Sequence, residues 1–325
     1  MTKEEFLAEW HNDNPRILVH TSGSTGKPKP LMVEKRRMLN SARITCDFLG
    51  LKPGDTALLC MPLDYIAGKM MVVRSLQRDL RLTSVRPSCH PLADETLPHF
   101  TFAAMVPMQV YNSLKVPCER ERLMHIRHLI IGGGAISDEL AQMIKPLPNA
   151  VWSTYGMTET LSHIALRRLN GPDASLWYTP FDGVGISLNA DGCLVIDAPE
   201  VCAEPLVTND IALLRTDDRT GKTLFRIKGR KDNVVCSGGI KIQIEEVEET
   251  LRPHLSAPFM IVKKQDEMLG EKAILLTESA DLTHIEEICR NTLPKYWVPR
   301  QFLHIDRLPL TETGKPKRTL LLTPR

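Results

Sequence analysis

Between residues 16 and 153, short apolar and β-branched runs recur with segments of helical periodicity between them, and this alternation is the strongest constraint on the fold. The runs at 16–20, 56–61, 101–106, 128–131 and 150–153 are expected strands. Between the first two, Met38, Ala42, Thr45, Cys46 and Leu49 share one face of a helix that Gly50 terminates. The first half thus reads as strand, loop, helix, strand, the repeating unit of an α/β layered fold. From about residue 176 the helices give way to short strands at 193–197, 211–215 and 224–227, divided by Gly, Asp and Asn turns. After Gly229 the pattern changes again, with helices at 242–251 and 283–293 and strands at 259–263 and 272–276. We expect an α/β protein in which a large N-terminal domain, residues 1–229, joins layered α/β subdomains to a small β subdomain, followed by a small α+β C-terminal domain, residues 230–325.

Charge and cysteine usage narrow the class of partner. Forty-one Lys and Arg against 39 Asp and Glu leave a formal net charge of +2, so no global field recruits nucleic acid or an anionic membrane surface. Small molecules are the expected partners. The segment MTKEEFLAEW is charged and amphipathic, without the apolar core of a signal peptide, and no apolar run approaches the roughly 18 residues that span a bilayer. A cytoplasmic protein with no membrane span is expected. Eight cysteines occur without a CxxC pair or a Cys/His cluster of zinc spacing, which predicts free thiols and no structural metal.

After the first expected strand, His20 is followed by Thr21, Ser22, Gly23, Ser24, Thr25, Gly26, Lys27, Pro28 and Lys29. Glycines let backbone N–H groups converge on an anion, hydroxyls add donors and lysines add charge, so this loop can wrap a polyphosphate. A Walker loop needs Gly-x4-Gly-Lys-Ser/Thr, with the hydroxyl residue opening a helix. Here Pro28 follows Lys27 and no glycine stands five residues before Gly26, which excludes that motif. A bare Gly/Ser/Thr stretch of this kind would equally serve as a flexible polar turn. The complete string is more specific. It resembles the phosphate loop of the adenylate-forming superfamily, which comprises acyl-CoA synthetases, peptide-synthetase adenylation domains and luciferases.

Later segments match the same family in order. Gly132, Gly133, Gly134 and Ala135 end an apolar strand, where glycines would let a flat base lie against the backbone; alone they would be an ordinary turn. By resemblance, Gly133, Gly134 and Ala135 face the adenine ring. Tyr155, Gly156, Met157, Thr158 and Glu159 resemble the family's Tyr-Gly-x-Thr-Glu signature. This implies Tyr155 and Gly156 near adenine, Thr158 donating to the α-phosphate and Glu159 holding Mg2+, an ion that takes few carboxylates beside phosphate oxygens and water. Asp210, in a Thr-Asn-Asp variant of the commoner Thr-Gly-Asp, would accept from the ribose hydroxyls. Arg230 would contact the nucleotide and Asp232 would be the interdomain hinge, while Ser237, Gly238 and Gly239 would line the CoA channel. Lys315, in Thr-Gly-Lys-Pro-Lys-Arg, takes the position of the family's catalytic lysine. The implied reaction is two-step: a carboxylate attacks the α-phosphate of ATP to give acyl-AMP and pyrophosphate, then CoA displaces AMP. The C-terminal domain would be mobile, rotating between the two half-reactions.

The acid is read from weaker strings. Met70, Met71, Val72, Val73 and Leu76 make the helix after residue 65 apolar nearly all round, with Lys69 projecting among them and Arg74 on a more polar face with Arg78. A lysine in the first turn of a buried helix needs an anion. Two candidates stand equal: Asp64, or a substrate carboxylate. The Pro-Leu-Asp-Tyr-Ile-Ala-Gly-Lys string at 62–69 and the Tyr-Gly-Met-Thr-Glu-Thr-Leu-Ser-His-Ile-Ala-Leu-Arg string at 155–167 together resemble the compact o-succinylbenzoate:CoA ligases of bacterial menaquinone biosynthesis, with Tyr65, Lys69, Ser162 and His163 as candidate residues of the acid pocket. A ligase for another aryl or fatty acid is one alternative. A non-catalytic adenine-nucleotide-binding protein is another, because family members commonly carry a longer segment ahead of the loop, where this chain has 19 residues before His20. A sheet edge left by that short segment would be covered in a homodimer.

Overall fold

A computed structural model describes residues 1–20, 30–310 and 317–318. The chain divides into two compact units: Met1–Ile186 with Ile196–Leu206 and Leu214–Phe225, and Ser187–Val195 with Val207–Leu213 and Arg226–Arg325.

The first unit begins with α1 (Lys3–His11), whose capping box has the Thr2 hydroxyl accepting from Glu5 N–H at 3.2 Å while the Glu5 carboxylate accepts from Thr2 N–H at 2.7 Å. β1 (Arg16–His20) pairs antiparallel with β2 (Pro30–Glu34), Ile17 opposite Val33. α2 (Lys35–Leu49) buries Met38, Ala42, Thr45, Cys46 and Leu49, the predicted face, and ends on Gly50 at φ 65°.

A seven-stranded sheet forms the centre. It is built from β3 (Thr56–Leu59), α3 (Ile66–Arg78), β4 (Arg81–Ser84), β5 (Phe102–Met105), α4 (Pro107–Lys115), α5 (Pro117–Met124), β6 (His128–Ile131), α6 (Asp138–Ile144), β7 (Ala150–Gly156), β8 (His163–Arg168) and β9 (Thr179–Pro180). The strand order is β4-β3-β5-β6-β7-β8-β9. The pairs from β4 to β7 are parallel, and β8 and β9 run antiparallel. Every residue of β5 is buried, as are Ala57, Leu58 and Leu59 of β3 and Leu129, Ile130 and Ile131 of β6. Unbroken apolar runs of this kind suit parallel strands covered on both faces.

β10 (Gly185–Leu188), β11 (Cys193–Asp197), β12 (Leu206–Thr216) and β13 (Thr223–Arg230) form a four-stranded sheet in that order. In the second unit, β14 (Val234–Ser237), β15 (Ile240–Gln243), α7 (Ile244–Leu251), β16 (Phe259–Asp266), β17 (Gly270–Thr277), α8 (Leu282–Thr292) and β18 (Gln301–His304) build a five-stranded sheet. Period-2 alternation sorts its faces. Ile261 and Leu275 join Val247, Leu251, Ile285 and Cys289 of the two helices in one cluster, while Met260, Val262, Ile274 and Leu276 form another.

The fold is therefore α/β, as the sequence predicts, with two local departures. β1 does not enter the seven-stranded sheet but forms a separate hairpin with β2, which opens on a proline and gave no strand signal. The helix expected at 242–251 starts at Ile244, because Ile242 and Gln243 pair with β14. Among the described residues no helix is long and apolar enough to cross a membrane.

Candidate active site

In parallel sheets of this type ligands bind beyond the carboxyl ends of the strands, and several of the singled-out residues stand there. Gly132, after β6, donates its N–H to the Met105 carbonyl at 3.1 Å. Gly133 follows at φ 79°, left-handed backbone that favours glycine. Gly133 and Ala135 are exposed and Gly134 is half-buried, so open backbone ends this strand. At the end of β7, Tyr155 meets Phe225 edge-on, with centroids 5.0 Å apart, and lies 5.7 Å from Tyr178.

Gly156 pairs with His163 across a bulge. A Cβ added there would lie 2.3 Å from the Ser162 carbonyl oxygen and 2.4 Å from His163 Cα, so only glycine lets β7 and β8 close. A helical turn at Thr158–Thr160 joins the two strands. Its shape comes from Thr160, whose hydroxyl accepts from Met157 N–H at 3.0 Å and donates to the Ser162 carbonyl at 2.7 Å. Thr158 is thereby buried while Glu159 is exposed. An exposed carboxylate beside a hydroxyl, at a strand end, suits a hard cation that takes its remaining oxygens from phosphate and water. Among the described residues no group of three or more acidic, His or Cys side chains could cage a metal by itself.

Leu161 takes φ 65° and turns the chain into β8. That turn brings Ser162 and His163 to α3 and α2. The Arg74 guanidinium donates from Nη2 to Ser162 Oγ at 2.6 Å, and Ser162 Oγ lies 3.2 Å from His163 Nδ1. His163 Nε2 lies 3.1 Å from Thr45 Oγ1, and the Thr45 hydroxyl reaches the Ser41 carbonyl at 3.0 Å. Arg74 is 2% exposed; among the described residues its Nε has no hydrogen-bond partner and its Nη1 meets the Met71 sulfur at 3.8 Å. Burial lowers the Arg74 pKa to about 10, against a small opposing effect of Cys46, and the group stays cationic at neutral pH. His163 is pushed well below its usual range by burial first and by Arg74 second, so it is neutral.

These positions correct the sequence expectation for α3. Lys69 is buried, yet its Nζ donates to the Leu18 carbonyl of β1 at 2.7 Å, with the Phe6 ring 5.9 Å away. Asp64, one of its two expected partners, accepts instead from the Met1 amino group at 3.2 Å. Burial lowers the Lys69 pKa, with Glu9 and Asp64 opposing at longer range. Arg74, expected on a polar face, is as buried as Lys69 because Ser162 covers it. Tyr65 is the residue before the first turn of α3. Arg74 and Thr45 are thus the polar members of this cluster that sequence reasoning missed. The available signal was an arginine inside a helix apolar nearly all round.

In the second unit Arg230 grips Asp232 through Nε at 3.0 Å and Nη2 at 2.9 Å, a bidentate pair, and reaches Asp210 from Nη1 at 3.2 Å. The Asp232 hydrogen bond is the largest influence raising the Arg230 pKa. Gly238 and Gly239, at φ 56° and 83°, make the two-residue turn of the β14–β15 hairpin, Ser237 opposite Ile240. Thr21, Ser22, Gly23, Ser24, Thr25, Gly26, Lys27 and Lys315 lie outside the described residues.

The profile of the family described as AMP-binding enzyme matches residues 3–203. The 2-succinylbenzoate--CoA ligase of Bacillus mycoides is 26% identical over 96% of this chain and 70% of its own length. A crystal structure of an acyl-CoA synthetase (AMP-forming)/AMP-acid ligase II-like protein from Dyadobacter fermentans is 33% identical, with a TM-score of 0.67 over 97% of this chain and 91% of that protein. The O-succinylbenzoate Coenzyme A Synthetase of Bacillus subtilis, solved with ATP and magnesium ion, superposes at a TM-score of 0.74 with 23% identity, over 94% of this chain and 69% of that one.

Proposed function

Because the chain belongs to the AMP-binding enzyme family, we propose that it is an AMP-forming acid:CoA ligase and that its acid is 2-succinylbenzoate. The observation that carries the choice of acid is Arg74, a buried cation with one oxygen acceptor among the described residues for its several donors. A diacid has one carboxylate to activate and a second to anchor, and a guanidinium fork matches the second. The name of the Bacillus mycoides relative agrees with this acid.

In the first half-reaction an oxygen of the free carboxylate attacks the α-phosphorus of ATP, and the bond to pyrophosphate breaks. A carboxylic acid with a pKa near 4 is about fully ionised at neutral pH, so no base is required. The protein positions the reactants and offsets developing charge. We assign the polyphosphate to the Thr21–Lys27 loop, with Lys315 acting as charge develops on the α-phosphate. Thr158, the Gly133, Gly134 and Ala135 backbone, Tyr155 and Gly156 are assigned to the nucleotide, as are Asp210 and Arg230. Mg2+, for which Glu159 is the candidate ligand, neutralises phosphate charge when bound. In the second half-reaction the CoA sulfur attacks the acyl carbon, the bond to AMP breaks and the thiol proton is released; we assign Ser237, Gly238 and Gly239 to the CoA path. ATP and CoA are cytoplasmic substrates, and we assign the protein to that compartment.

The test is pyrophosphate release from ATP and Mg2+ with a panel of acids. We expect release with 2-succinylbenzoate and acyl-CoA formation once CoA is added. Release with benzoates or fatty acids while 2-succinylbenzoate stays inert would overturn the choice of acid, and no acid-dependent release at all would overturn the ligase.

A further inference from the structure

Four side chains from three parts of the first unit form one chain of hydrogen bonds, and its polarity can be worked out. Arg74 has only donors, so Ser162 Oγ accepts from it. A hydroxyl so polarised is a better donor, and Ser162 Oγ has His163 Nδ1 at 3.2 Å. At the other ring nitrogen, Thr45 has a single hydrogen and the Ser41 carbonyl at 3.0 Å to receive it. Thr45 Oγ1 is then free to accept from His163 Nε2 at 3.1 Å. This assignment gives the hydroxyl hydrogen of Ser162, the imidazole hydrogen of His163 and the hydroxyl hydrogen of Thr45 one acceptor each. With the ring reversed, Thr45 donates to Nε2, Ser162 accepts twice, and the Ser162 hydrogen has no acceptor in the chain of contacts. His163 is neutral in its buried setting beside Arg74, as either arrangement requires.

We infer that Thr45 and His163 are positioning residues that set acid specificity: by taking up the Ser162 hydrogen they commit the Ser162 oxygen to Arg74 and fix the guanidinium in the orientation that receives the second carboxylate of a diacid. Neither touches the reacting atoms. They act through Ser162, and Thr45 ties the arrangement to α2, the helix that follows β2. The functional part rests on the diacid assignment above; the polarity of the relay does not.

Two readouts separate them. The first is 15N NMR of the imidazoles in the wild-type chain, with the His163 signals identified by their loss in His163→Leu. Protonated Nε2 with unprotonated Nδ1 is expected, and the opposite tautomer overturns the relay whatever the substrate. The second is steady-state kinetics on His163→Leu and Thr45→Val. Each should raise KM for 2-succinylbenzoate about tenfold, roughly the worth of one buried hydrogen bond, with kcat much less affected and KM for ATP unmoved. His163→Gln, which keeps one acceptor and one donor, and Thr45→Ser should recover most of the loss. Equal increases in both KM values, or no recovery in the conservative variants, would reduce these residues to structural support and overturn the inference. If the wild type does not use 2-succinylbenzoate, the acid assignment falls and the tautomer alone decides the relay.

Discussion

At Arg74 the chain keeps a guanidinium that is 2% exposed with Ser162 as its one oxygen partner among the described residues, where it has no counter-ion, and burying a charge in this way costs several kcal/mol. Replacement by an apolar side chain of similar length removes that cost. Arg74→Met is therefore expected to melt at the same temperature or higher, while kcat/KM for 2-succinylbenzoate falls about a hundredfold, the scale for leaving a carboxylate without its partner. Thermal melts and kinetics on the same preparation check this; a destabilised variant with unchanged turnover would make Arg74 structural. The sequence drew attention to Lys69, with Asp64 or a substrate carboxylate as its partner, and passed over Arg74 for a physical reason. Helical periodicity says which residues share a face, and it put Arg74 beside Arg78. It cannot say that a turn more than 80 residues later will cover one of the two. Lys69, by contrast, reads correctly as buried, but a backbone carbonyl of β1 supplies its acceptor where a carboxylate was expected.

Within elements, glycine positions that look alike in sequence differ in what they meet. Gly50 ends α2 at φ 65° with nothing within 4 Å of an added Cβ, so Gly50→Ala should cost only the left-handed backbone term, about 1 kcal/mol. Gly156→Ala would press a Cβ onto the backbone of β8, which cannot swing aside as a side chain does, and should cost about 3 kcal/mol or more. Urea midpoints of the two variants check the ranking, and equal losses would contradict the close approach. At this scale much was legible. The five expected strands of the first half and the helix ending at Gly50 lie where apolar runs and a C-terminal glycine put them. Hairpins were not: β1–β2 and β14–β15 depend on pairing between segments, and a strand partner leaves little trace in a short segment's own composition. The Gly238–Gly239 pair, expected to line the CoA channel, is a turn between strands, as its two positive φ values and the β14–β15 register show.

For the whole molecule the buried histidine has a consequence for acid stability. His163 refuses a proton in the folded state because burial and the facing Arg74 lower its pKa well below 6.5, while the unfolded chain takes one up near 6.5. Above that pH both states are neutral and nothing changes. Below it the unfolded state binds more protons, so stability should fall by up to about 1.4 kcal/mol per pH unit on this account. The depressed carboxylates Asp94, Asp191, Asp217, Asp232 and Asp266 lose their contribution only near and below 3.8, outside the window from 6.5 to 5, while His128, also lowered by burial first, adds a slope of the same sign that remains when His163 is replaced. Guanidinium melts across that window should show a slope that flattens in His163→Gln. Catalysis has its own test at this scale: Lys315→Ala should abolish acyl-AMP formation but spare thioesterification of pre-made acyl-AMP in single-turnover assays, and equal impairment of both would end the division of labour proposed for Lys315. By itself the sequence determined the α/β architecture and the family-specific motifs, because apolar period and local turn chemistry are properties of neighbouring residues. The tertiary structure alone decided which cation is buried with a hydroxyl, not a carboxylate, as its partner among the described residues, and which further hydroxyl and imidazole join it. Thr45, Arg74 and His163 come from segments far apart in the chain, and burial is set by what packs over a side chain rather than by the residues beside it.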